Sequence, residues 1–479
     1  MCRMPHRQCR CHRHDLGSVL SITSRQARVL VVRFLSTWLR FATNQIHFKK
    51  QQEMNMPKDM GVSKEMSMNG RGGHLYMQTN EVKNAIIHYH RSAGGTLTEV
   101  ERVATGGAGS GTFKPISGQE SAPNSFEGAA SVILSPDRKF LFATNGGDNS
   151  VSSFAVGEQG RLKLIDTKRT GNAIEGKSGT AKSLAYSPLK DMLYVLHSFG
   201  PDHIRIMSVS SDGKLTPRAE KYTCNTPDKP HRVPTMGVLT PDEKFLLVGT
   251  TFDVPITISG TYPDGSPILW VTGPDGQTRS VASNAPDPDG IVIHRVNADG
   301  TLGEGSFQDG GGGSPFYIAF LHSRPDTFII GFAVGDGVAL GRIDEDGRIG
   351  VGKVVPIDTR RGKIAELCWA SVSPDDRLLF ATVFGYSNIT TFHIDGLELK
   401  VAKDPACPIV EGDGTFRGLC GDVSSGPSDN WVSPDGAFLY QIYGNASKLV
   451  GYATKPDGSL EEVTSVAIPY NSPEGLAGF

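Results

Sequence analysis

The sequence predicts an all-β protein, a seven-bladed β-propeller of four-stranded blades, behind a basic N-terminal extension. Three observations carry this expectation. A strand-turn-strand unit built on Ser-Pro-Asp or a close variant recurs along the chain. A second turn signal, Asp-Gly followed by a polar residue and then an apolar one, recurs at 212, 299, 346 and 457. The units repeat at roughly 40–50 residues, the period of a propeller blade.

The clearest unit is Ser131 to Val156, SVILSPDRKFLFATNGGDNSVSSFAV. A short apolar run meets Ser135-Pro136-Asp137, and a β-branched and aromatic run, Phe140 to Thr144, follows. Asn145 to Asn149 breaks it before a third run reaches Val156. That order reads strand, turn, strand, turn, strand. It returns from Ser183, from Gly237, from Ser371 and from Trp431, the last as WVSPDGAFLYQIYGNASKLVGYAT. Pro presets φ for the first turn position and Asp bonds the backbone just beyond, so turn chemistry accounts for these Ser and Asp residues. They are read as corners, not as a catalytic pair. Asp-Gly supplies the positive φ of a tight hairpin, and the apolar residue restarts the outgoing strand.

Taken in order, the first unit places strands over His74–Thr79, Ala85–His90 and Leu97–Ala104. The second spans 126–170, the third 180–220 and the fourth 233–305. The fourth carries an insertion, 253–289, with Pro-Asp-Gly turns that predict an extra hairpin on one rim. The fifth spans 313–353, the sixth 366–403 and the seventh 427–465. One blade cannot bury both of its faces, whereas seven packed in a ring can. Ring closure assigns either Val466–Tyr470 or the following tail to Phe479 to the first blade, removing the free sheet edges. The propeller then occupies 70–479.

Residues 1–56 stand outside this pattern. Residues 1–53 hold ten Lys and Arg against Asp15 and Glu53, while the whole chain is at −2, so the remainder is acidic. A net-acidic body argues against nucleic acid as partner. Leu30, Phe34, Trp38 and Phe41 fall at helical spacing in ARVLVVRFLSTWLRF. This extension reads as a transit peptide or as a disordered leader, with Met54, Met56, Met60 or Met66 as other starts. The expected location is cytoplasmic, or mitochondrial if the extension is a transit peptide. No apolar run reaches the ~18–20 residues needed to span a bilayer. Cys2, Cys9 and Cys11 lie among His6, His12 and His14 without a closed zinc spacing. His88 and His90 share a strand face but lack a third ligand in view. No metal and no cofactor is assigned. Cys407 and Cys420 flank a Gly-rich loop and would pair only in an oxidising compartment, so free buried thiols are the simpler expectation.

SPDRKFLFATNGGDNSVSSFAV, SPDDRLLFATVFGYSNITTF, VSPDGAFLYQIYGNASKLVGY and the terminal SPEGLAGF resemble the seven-bladed lactonase family over about residues 70–479. That family includes propeller-type 6-phosphogluconolactonases and carboxy-muconate cycloisomerases. The resemblance implies a propeller that hydrolyses a sugar-acid lactone such as 6-phosphogluconolactone. The alternatives are a carboxy-muconate-type cycloisomerase, or a propeller that binds a protein or small ligand without chemistry. The implied partner is a small carboxylate or lactone, and the oligomeric state stays open. Where the family carries His- and Arg-containing segments and a Glu-x-His segment ahead of its turns, this chain reads differently. Glu366 has no His two residues on.

Candidate site residues follow from position. The innermost strand of each blade lines the channel, and its start opens on one face. A lactonase needs a base to activate water and a cation for the acyl oxyanion. Glu366 or His231 is placed to supply the first, and Arg232 or Lys182 the second. Glu127, Asp429 and Asn430 join Lys182 as substrate-binding candidates. Each also has a plain reading as a solvated or packed residue of the rim.

Overall fold

The computed structural model describes residues 72–109, 129–174, 177–178, 180–198, 200–229, 232–253, 270–272, 278–280, 290–335, 337–357, 365–414, 418, 420–470 and 474–479. The expected seven antiparallel blades are borne out. From the axis outward, blade one is Glu474–Gly478, Gly73–Gln78, Ala85–Arg91 and Leu97–Ala104. The first strands of blades two to seven are Val132–Leu134, Ala181–Ser187, Arg232–Leu239, Pro315–Phe320, Leu367–Val372 and Pro427–Val432. These seven innermost strands touch one another in sequence and return to the start, which closes the ring.

The tail completes blade one. Leu75 pairs with Gly478 and Met77 with Leu476. His74 and Phe479 exchange two backbone hydrogen bonds, of 2.8 and 3.0 Å. Val466 lies instead in Leu460–Ala467, the outermost strand of blade seven. In the insertion, Trp270–Thr272 pairs with Thr278–Ser280. Most of 253–289 and all of 1–56 lie outside the described residues.

The core follows from the pleat. Side chains alternate between the two faces of each sheet, so each face meets one neighbouring blade. Apolar clusters accordingly lie between successive blades around the ring. One example joins Leu75, Ile87 and Tyr89 to Tyr440, Ile442 and Leu449 across the closure between blades seven and one. Burying one such aliphatic or aromatic side chain contributes about 1.5–3 kcal/mol. A further cluster lies on the axis. It joins Ala129 of blade two to Met236, Phe316, Cys368 and Trp369 of blades four to six. Blade two is not adjacent to those blades, so these residues meet across the channel and plug it.

Two turn types organise the blades. At the inner corner, the Ser135 hydroxyl donates to Asp137 at 2.7 Å and accepts from the Phe140 amide at 2.9 Å. The same pair of bonds recurs from Thr240, from Ser373 and from Ser433. Hydrogen bonds from Ser135 and Lys139 hold the Asp137 carboxyl down at about 2. At the outer hairpin, a glycine takes positive φ in every blade, at Gly95, Gly160, Gly213, Gly300, Gly347, Gly396 and Gly458. Each of these glycine carbonyls accepts a side-chain hydrogen bond from the preceding blade. The donors are Tyr440, Tyr76, Ser153, Tyr194, Gln308, Arg324 and Thr391. The hairpin that ends one blade therefore also ties it to its neighbour.

Candidate functional site

Innermost strands begin with a shared backbone device. The residue at or just before the strand is left-handed in five blades, at Ala130, Thr180, Ser314, Glu366 and Gly426. L-residues adopt this region at a cost, and such strain often marks function. Here its recurrence from blade to blade marks it as part of the fold. Three residues later in blades two, five, six and seven stand Ile133, Tyr317, Trp369 and Asp429. Trp369 is buried in the axial plug, 5.0 Å from Phe316 centroid to centroid.

Beyond the plug the channel widens into a cavity of about 540 Å³. Its wall is built from innermost strands and runs to Pro374 and Pro434 of the corner turns, with His322 also on it. The cavity therefore reaches the corner face, opposite the strand-start face. Asp429, Tyr317, Ser371, Trp431 and Leu476 form much of the interior.

Asp429 dominates the electrostatics. One carboxyl oxygen accepts the Asn430 amide at 3.0 Å, and the other accepts the Leu476 amide of the closing strand at 3.1 Å. Both bonds favour the ionised form. Burial outweighs them and pushes the carboxyl up to about 7. Burial, with the Asp429 charge added, raises the Tyr317 phenol, so that hydroxyl keeps its proton. At the rim, the His322 ring bonds Asp376 at 2.8 Å. A carboxyl that titrates near neutrality beside a protonated phenol can exchange a proton with water and donate to an oxyanion.

Of the described residues expected from sequence, two stand on the cavity wall and three lie apart from it, each against different partners. Asp429 and Asn430 are on the cavity wall. Lys182, Arg232 and Glu366 are not among the lining residues. The Asn430 amide group turns to blade six, donating to Phe380 O at 3.2 Å and Thr382 Oγ1 at 2.9 Å. Lys182 is buried, and its ammonium donates to the Pro234 carbonyl of blade four. The Arg232 guanidinium donates to Cys224 O and Thr226 Oγ1 and lies 4.6 Å over the Phe307 ring. Glu366 is buried with a carboxylate oxygen close against Gly385 and Gly418; a Cβ at either would lie 3.0 or 2.7 Å from it. Glu127 and His231 lie outside the described residues. Tyr317 and His322 were not reached from the sequence. The signal for Tyr317 was its place, three residues after Ser314, as Asp429 follows Gly426.

Among the described residues, no three His, Cys, Asp or Glu side chains are grouped to hold a metal ion. His88 instead bonds His74 at 2.9 Å and Glu101 at 3.3 Å. The four described cysteines are buried and are not disulfide-bonded to one another. No helix among the described residues is long and apolar enough to cross a membrane.

Comparison with known proteins bears out the expected resemblance. Residues 36–228 match the family model described as lactonase, 7-bladed beta-propeller. A periplasmic gluconolactonase from Pseudomonas aeruginosa superposes with a TM-score of 0.58 at 17% identity, covering 85% of this chain and 99% of that one. A candidate 6-phosphogluconolactonase from Bacteroides fragilis gives 0.58 at 16% identity, covering 87% and 100%. One from Bacteroides uniformis gives 0.57 at 15%, covering 85% and 100%. At these identities the superpositions speak for the fold. No match was found among curated proteins.

Proposed function

We propose that this chain, a seven-bladed propeller with the lactonase-family match over residues 36–228, hydrolyses a lactone of a sugar acid in the channel cavity. The observation that carries this reading is Asp429, a buried carboxyl raised to about 7 on the wall of a cavity large enough for a small ligand. As carboxylate, Asp429 takes a proton from water while the water oxygen bonds to the acyl carbon. Tyr317 donates to the carbonyl oxygen as it gains charge. The ring C–O bond then breaks, and the proton passes from Asp429 to the leaving alkoxide. One water is consumed and an open hydroxy acid results.

6-Phosphogluconolactone and glucono-δ-lactone are the substrates to test, by proton release against the uncatalysed rate. Asp429→Asn should lower kcat by about 10²–10⁴-fold, the usual worth of a positioned base. Glu366, His231 and Arg232 enter as the alternative catalytic set, with Lys182, Glu127 and Asn430 as binding residues. Glu366→Gln measured beside Asp429→Asn assigns the base to one set or the other.

One observation favours a propeller that binds without chemistry. Both Asp429 oxygens accept backbone amides, so the carboxyl also has a structural task at the closure. If neither lactone is opened faster than in buffer, that reading replaces the hydrolase.

A further inference from the structure

We infer that the channel cavity selects uncharged lactones and rejects phosphorylated or polycarboxylate ones. The choice of a lactone as ligand rests on the hydrolase reading; the charge selection rests on the cavity wall alone.

The wall is mainly apolar. Val132, Ile133, Leu134, Met236, Val432 and Leu476 supply much of it, and Trp431 and Tyr317 add aromatic surface. Its polar groups are few: Tyr317, Ser371, Asn430, Asp429 and, at the rim, His322. Among the described residues, no Lys or Arg lines it. The His322 ring is engaged with the Asp376 carboxylate at 2.8 Å. The Ser371 hydroxyl is buried and has no hydrogen-bond partner among the described residues.

Phosphate and carboxylate recognition relies on Arg, Lys or clustered amide donors. Here a phosphate would be taken from water into an apolar channel with no cation to meet it among the described residues. It would also face Asp429, which repels it in its carboxylate form. At a separation of a few ångströms, two like charges near a protein surface repel strongly enough to weaken binding on the order of a thousandfold. Even a reduced share of that gives discrimination on the order of a hundredfold. An uncharged lactone meets no such barrier. Its hydroxyl groups can bond Tyr317, and its ring can pack against Met236, Leu476 and Val432. The cavity, about 540 Å³, lies within the range of small-molecule sites, ~300–1,000 Å³.

The test pairs two probes that share the lactone ring and differ by one anionic phosphoryl group, glucono-δ-lactone and 6-phosphoglucono-δ-lactone. Binding is read by calorimetry and turnover by proton release, both on the full chain. The expected result is binding of the neutral lactone on the order of a hundredfold tighter than of the phosphorylated one. Val432→Arg, which places a cation on the wall, should narrow that ratio at least tenfold. Tighter or equal binding of the phosphorylated lactone by the unaltered chain overturns the inference, whatever the rates. If the neutral lactone binds preferentially and neither is hydrolysed, the hydrolase reading falls and the charge selection stands. If neither binds, both fall.

Discussion

The Tyr440 hydroxyl donates a 2.7 Å hydrogen bond to the carbonyl of Gly95, 345 positions away in the chain. This bond joins blade seven to the outer hairpin of blade one, in addition to the ladder of the closing strand at the axis. The Gly95 site is tight: a Cβ there would lie 2.4 Å from the Phe438 ring. Tyr440→Phe keeps the ring and removes only the hydroxyl. It should cost about 1 kcal/mol, or somewhat more because the carbonyl of Gly95 loses a buried partner. Urea unfolding should show a lower midpoint with an unchanged slope. An unchanged midpoint would mean that the bond contributes nothing to ring closure.

The corner serines should behave as turn residues. In Ser373 the hydroxyl both donates to Asp375 at 2.6 Å and accepts from the Leu378 amide at 2.9 Å. Ser373→Ala removes both bonds and should lower stability by about 1–2 kcal/mol. Turnover at the permissive temperature should not change. A large loss of kcat in a folded Ser373→Ala protein would show that the corner takes part in chemistry.

Local chemistry made the fold legible in the sequence. The corner at Ser135-Pro136-Asp137 and the left-handed glycine of each outer hairpin are set by three or four neighbouring residues, so the repeat declares them. The stitch from Tyr440 to Gly95 was not legible, because its partners come from opposite ends of the chain. The site was legible in position and only partly in orientation. Asp429 and Asn430 are adjacent and both were singled out, yet the pleat sends one toward the axis and the other toward Thr382. Arg232 begins an innermost strand as expected, while its guanidinium reaches the Phe307 ring of an outer strand. A bulge between Arg232 and Pro234 breaks the simple alternation there, which strand counting does not anticipate.

Acid should weaken blade one through its histidines. His74 bonds His88, and His88 bonds Glu101, which also pairs with Arg161. Burial lowers His74 to about 4, with His88, His90 and Arg91 adding to the effect. Burial also lowers His88, against the pull of Glu101. From about pH 6.5 down to about 4, the unfolded chain therefore binds more protons here than the folded one, and stability falls as pH falls. The melting temperature of the unaltered protein should drop between pH 7 and 5. His74→Phe, which keeps a ring against Phe479, should show a smaller drop. An equal drop in both proteins would place the acid sensitivity elsewhere.

Asp429 carries the opposite sign, and that separates its two tasks. Its carboxyl rises from 3.8 to about 7 on folding, chiefly through burial. Between those values the folded state binds more protons than the unfolded one, so its ionisation removes stability as pH rises. The full effect is of order 4 kcal/mol, since each tenfold gain in proton affinity is worth ~1.4 kcal/mol. Asp429→Asn cannot ionise, yet its amide oxygen can still accept the Leu476 amide. The variant should therefore gain stability relative to the unaltered protein as pH rises from 4 to 8. Its activity should fall at every pH. For the unaltered protein, kcat/KM should climb with an apparent pKa near 7 as the carboxylate forms, then level off. If Asp429→Asn alters the stability profile and leaves kcat/KM intact, Asp429 only pins the closing strand, and the base must be sought at Glu366 or His231. If it lowers kcat/KM and leaves the stability profile unchanged, the carboxyl is less buried than its place between Tyr317 and Leu476 requires.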